Sequence, residues 1–129
     1  MQEAFLYNVL SLAYLGDAAY ELMVRQRLVS EHRSMPGELH QMAQKFVSAT
    51  AQSKACEKLI ELMNDDELNV FNRARNSSPA NIPKHSSRSD YHRATALEAV
   101  FGYLHLIGDN DRSNEIFEIL YDFLQKDQP

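Results

Sequence analysis

Apolar residues recur at three- and four-residue intervals along nearly the whole of this chain, and no segment alternates with a period of two long enough for a strand. That periodicity admits one class of architecture, an all-α domain in which each helix turns one stripe inward. At 129 residues the chain fits one domain, residues 1–129, with one core. A first helix is expected from about Glu3 to Val29, closed by the stretch SEHRSMPG. Pro36 suits the first turn of a second, with Leu39, Met42, Ala43 and Phe46 inward. Ser48 and Thr50 are candidate caps for a third, which carries Ala55, Leu59, Leu62 and Met63. Asp65, Asp66 and Glu67 open a short fourth through Leu68 and Phe71, with acids where the helix dipole favours them. The stretch SSPANIPKHSSRSD, Ser77 to Asp90, holds two prolines and five serines and reads as a loop. Asp90 is expected to cap a fifth helix through Leu106. After a GDND turn, a last helix carries Ile116, Leu120, Phe123 and Leu124.

Two acids break this pattern. Asp17, in SLAYLGDAAYEL, shares its helical row with Leu6, Leu10, Ala13, Tyr20 and Val24, which places a carboxylate on an apolar stripe. Glu98, in ATALEAVFGYLHL, has Ala94, Thr95, Phe101 and Gly102 three and four residues away, with no Lys or Arg among them. A buried carboxylate must be protonated, hydrogen-bonded or bound to a cation. Partial exposure at a helix edge explains either acid alone. Both, however, lie near glycine or alanine, which lets another backbone approach. If their helices cross at those small residues the two acids converge, and two oxygen ligands from facing helices make a site for a hard cation, Mg²⁺ or Mn²⁺.

The second anomaly is one of charge. The chain carries a formal charge of −5, yet from Arg73 to Arg93 the basic residues Arg73, Arg75, Lys84, Arg88 and Arg93 face a single acid, Asp90. Such a run is usually a solvated surface. This one adds Asn76 and several serines, the groups that bind phosphate oxygens, and it leads into the helix of Glu98. A cation site beside a phosphate-gripping segment suggests phosphoryl-transfer chemistry on a nucleic acid, with a duplex backbone favoured because no aromatic ladder is present. The single cysteine, Cys56, has no metal-ligand companion and reads as a small core residue in a reducing compartment. The N-terminal stretch has no basic flank and contains Glu3, so neither a signal peptide nor a membrane span is expected, and a cytoplasmic location is.

LAYLGDAAYE resembles the first signature of the ribonuclease III catalytic domain, and ATALEAVFGYL resembles its second acidic helix. LHQMAQKFVSATAQ, RARN at Arg73 to Asn76, IPK at Ile82 to Lys84 and YHRATALEA at Tyr91 to Ala99 extend the likeness across most of the chain, and the short Mini-III branch is the nearest pattern. The resemblance implies an all-helical endonuclease domain without a double-stranded-RNA-binding domain. It further implies a homodimer that cuts double-stranded RNA to 5′-phosphate and 3′-hydroxyl ends, with a part in maturing the large-subunit ribosomal RNA precursor. By the same resemblance Asp17 and Glu98 are metal ligands, and Arg73, Arg75, Asn76 and Lys84 contact RNA. The metal would polarise the phosphate and activate a water, so no protein nucleophile is required. Two further acids of the family pattern are replaced here by Ala13 and Thr95, which predicts weaker metal binding and leaves one or two metals open. Thr95 retains a hydroxyl for an outer contact. The competing reading, a binding module that kept the dimer and the RNA grip but lost catalysis, would be expected to have lost Asp17 or Glu98 first.

Overall fold

The computed structural model describes residues 7–77 and 87–127. Six helices follow one another: α1 (Val9–Glu31), α2 (Pro36–Val47), α3 (Ala49–Leu62), α4 (Asp65–Arg75), α5 (Arg88–Leu106) and α6 (Asn110–Lys126), with no strand among the described residues. The core runs along α5, whose residues from Ala94 to Leu104 are all buried apart from Glu98. Helices α1, α3 and α4 pack against it, α2 leans on α1, and α6 closes the end against α3 and α5.

The helix ends follow local chemistry. Asn8 caps α1, its side-chain oxygen accepting from the Leu10 and Ser11 N–H groups, so this helix begins at Val9 rather than near Glu3. Ser48, not Thr50, caps α3. Ser87 caps α5 by accepting from the Asp90 N–H, so Asp90 sits inside the first turn instead of ahead of it. A serine three residues upstream offers the same oxygen and lets the helix start earlier. Gly108, at φ 76°, ends α5 in the left-handed conformation that spares a side chain its usual clash.

Two contacts fix how the helices meet. Tyr20 is fully buried, with its ring against Phe101 and Phe117 and its hydroxyl donating to the Phe46 carbonyl at 3.1 Å, which ties α1 to α2 and α5. Glu67 is the second, and it departs from the sequence expectation. Only 1% exposed, it forms a capping box with Asn64 while Arg112 of α6 donates to both of its oxygens at 2.9 Å. The same guanidinium donates to the Leu62 carbonyl at 2.6 Å. The inward face of α4 is therefore Glu67, Val70, Phe71 and Ala74, and Leu68 is turned to solvent.

Candidate active site

Helices α1 and α5 touch through their backbones. A Cβ on Gly16 would lie 1.6 Å from the Glu98 carbonyl oxygen, and one on Gly102 would lie 1.9 Å from that of Leu12. Only glycine at both positions allows this approach. Asp17 follows Gly16 directly, and the crossing brings its carboxyl close enough to that of Glu98 to raise the latter's affinity for a proton. The convergence expected from the small residues is present. Its detail differs in one respect. The buried row of α1 is Val9, Leu12, Ala13, Gly16, Tyr20, Val24 and Leu28, so Asp17 stands one residue past the row and is exposed. With Gly16 filling the inward position, the next residue along points out over the crossing toward α5.

Glu98 is half-buried. Burial first, and then the Asp17 charge beside it, push its carboxyl up to about 8. The Gln52 side-chain amide, in hydrogen-bonding reach, favours the ionised form and offsets part of this; Glu21 adds a smaller negative contribution. Two carboxyls pressed together, with no Lys or Arg among the described residues paired to either, is an arrangement that a cation would relieve. The donor set is all oxygen, the chemistry that Mg²⁺ and Mn²⁺ select. Close by, the Oε1 of Gln52 is buried without a hydrogen-bond partner among the described residues. No group of three or more His, Cys, Asp and Glu side chains able to hold a metal exists among the described residues, so an ion here would take its remaining ligands from water and substrate, as Mg²⁺ commonly does. The residues fit a hydrated divalent cation.

The other expected site residues are distributed unevenly. Arg73 and Arg75 belong to the last turn of α4, where cations complement the helix dipole, and not to a loop; Asn76 is the C-cap. Arg75 and Asn76 are exposed. Arg73 is partly buried and donates to the Tyr7 carbonyl at 3.3 Å, so part of its donor capacity serves the fold. Arg75 meets Arg93 of α5 in a small depression that also includes Ser53 and Glu57. Thr95 is buried, and its hydroxyl proton is committed to the Tyr91 carbonyl at 2.9 Å, leaving only lone pairs for any outer contact. Lys84 lies outside the described residues. Cys56 is buried as a core residue; its thiol is pushed up to about 12 by burial. Reasoning from sequence missed Gln52 and Glu67. Gln52 shares the inner face of α3 with Ala55, Cys56 and Leu59, and that shared phase was the available signal.

The chain and its fold have known relatives. The profile of the ribonuclease III domain matches residues 10–109. The chain belongs to the ribonuclease III family. Among curated relatives it is similar to the Mini-ribonuclease 3 of Symbiobacterium thermophilum, 37% identical over 119 residues that span 92% of each chain. It is 41% identical over 113 residues to that of Brevibacillus brevis, covering 88% of this chain and 84% of the relative. A crystal structure of a protein from Fusobacterium nucleatum superposes with a TM-score of 0.80 at 28% identity, covering 90% of this chain and 93% of the other.

Proposed function

We propose that this protein is an endoribonuclease that hydrolyses phosphodiester bonds in double-stranded RNA and leaves 5′-phosphate and 3′-hydroxyl ends. Membership of the ribonuclease III family supports the activity and the duplex substrate. The natural role we assign it is in maturing the large-subunit ribosomal RNA precursor, as the resemblance of its sequence to the Mini-III branch implies. The observation that carries the reading is the Asp17–Glu98 pair, two carboxyls brought together by a crossing that nothing but glycine permits.

Asp17 and Glu98 would hold Mg²⁺, with Mn²⁺ as a substitute. Such a cation would polarise the scissile phosphate and supply a water nucleophile at neutral pH. The chain's own residues do the rest. The two carboxyls would fix where the ion, and with it that phosphate, sits. Arg75 and Asn76, with Arg73 and Lys84, contact the RNA backbone, Arg75 beside Arg93 presenting two guanidiniums to phosphate oxygens. Two strands need two such sites, and a homodimer supplies them. Tyr14, Leu22 and Val29 are exposed on α1, and Val29 borders a groove of about 370 Å³ whose lining mixes Leu28, Pro36, Leu39 and Ala43 with Glu21, Arg25 and His40. Those exposed apolar side chains support the assembly.

Cleavage of generic double-stranded RNA in Mg²⁺ tests the reading. Asp17→Asn and Glu98→Gln each remove a ligand charge with little change of shape. Each is expected to lower the rate by at least about 100-fold, the scale on which such ligands act, with the helical spectrum intact. A near-wild-type rate in either variant would remove the metal assignment.

A further inference from the structure

We propose that Gln52 is a positioning residue for the acid pair, one that orients the Glu98 carboxylate and turns a free acceptor oxygen toward a hydrated divalent cation. The inference rests on the metal-site reading of Asp17 and Glu98. Gln52 is 2% exposed on α3. Its Nε2 donates to the Val47 carbonyl at 3.2 Å, one of the carbonyls that the end of α2 leaves without a helical partner. A carbonyl only accepts, so this bond settles which end of the amide is nitrogen. The second Nε2 hydrogen is left for Glu98, whose carboxyl lies within hydrogen-bonding reach of the amide. Oε1 is buried and has no partner among the described residues.

A helix-capping role accounts for Nε2 and leaves Oε1 unexplained. Burying an amide oxygen without a donor is costly, and an apolar side chain of similar length would fill the space without that cost. The surroundings supply acceptors: the Val47 carbonyl and two carboxylates that are ionised when they hold a cation. The donor that completes the set is a water in the shell of the ion. Groups that orient metal ligands in this way are a regular part of metal sites. Gln52 would thus join three elements at one point, the end of α2, the inner face of α3 and the acid of α5.

Mn²⁺ binding to the full-length protein without RNA, measured calorimetrically, tests the proposal. Gln52→Met keeps the length and removes both polar ends. It is expected to keep its helical spectrum, to bind Mn²⁺ about 10–100-fold more weakly, and to recover cleavage as Mg²⁺ is raised. Wild-type Mn²⁺ affinity in this variant overturns the proposal. Glu98→Gln, run alongside, separates the two levels. If it abolishes Mn²⁺ binding while Gln52→Met leaves it unchanged, the site stands and the role of Gln52 falls; if Glu98→Gln changes nothing, both fall. Should Gln52→Met fail to fold, the wild-type protein decides by NMR. The Gln52 side-chain amide signals are expected to shift with Mg²⁺ at the same midpoint as the backbone signals of Asp17 and Glu98. Signals that stay fixed at saturating Mg²⁺ count against the assignment.

Discussion

A half-buried acid beside a second one makes the fold sensitive to pH in a direction opposite to most carboxylates. Without a divalent cation, the native state keeps a proton on Glu98 from its ordinary 4.5 up to about 8, while the unfolded chain has released it. The native state then binds more protons, so stability falls as pH rises through that window, and the loss is complete above it. Thermal melts in chelator are expected to show this decline in the wild type. Glu98→Gln should flatten it, and adding Mg²⁺ should restore the alkaline end for the wild type alone. Parallel slopes for the two proteins would show that Glu98 does not titrate there. At this scale the sequence exposed what was chemically out of place. Asp17 and Glu98 stood out because carboxylates interrupted apolar spacing. Gln52 and Glu67 did not, because a glutamine among alanines and an acid in a first turn both read as ordinary surface until α5 and α6 are packed over them.

Among the elements, the crossing of α1 and α5 is the least forgiving. Gly16→Ala puts a methyl 1.6 Å from a backbone oxygen, which has no rotamer to escape into, so the helices must part. Overpacking of this kind costs about 3 kcal/mol at the upper end of its usual range, or about 10 °C in Tm for a domain of this size. Cleavage should fall with it, because the two acids separate. Gly37→Ala is the control: nothing lies within 4 Å of the added carbon, and its Tm should not drop. Calorimetric melts of the two variants check both expectations, and equal Tm values would mean that the helices do not meet as described. The six helices themselves were legible, since stripe spacing survives without tertiary knowledge. Their starts were less so. Asn8 and Ser87 outcompete the expected beginnings because a cap is chosen by which oxygen reaches the free N–H groups, and sequence spacing leaves several candidates.

For the whole molecule, exposure marks the face that should be shared. Tyr14 is 85% exposed, Leu22 57% and Val29 62%, all on α1, the helix that carries Asp17. Sedimentation at micromolar concentration is expected to give about twice the 14.8 kDa chain mass. Leu22→Glu should shift it toward the monomer and reduce double-strand cutting, because a buried unpaired charge is strongly disfavoured. A wild-type monomer that still cuts both strands would count against the assembly. Apolar spacing alone does not say which α1 positions face a partner: Leu12 belongs to the core, 2% exposed, because α5 approaches more closely than an ordinary helix neighbour, and Met23 packs against that core.

The clamp between Arg112 and Glu67 has a consequence at this same scale. Helix α4 is gripped at its first turn, and its arginines sit at the opposite end, about 12 Å further along at the usual helical rise. Between the two, Val70, Phe71 and Ala74 lie buried along α4, which packs against α5. Helix α6, through one guanidinium, thus fixes the end of α4 opposite its arginines. If those arginines grip RNA as proposed, Arg112→Ala should loosen that end of α4 and weaken RNA binding, although it changes no residue of the acid pair; unchanged binding would show that packing on α5 alone holds α4 in place.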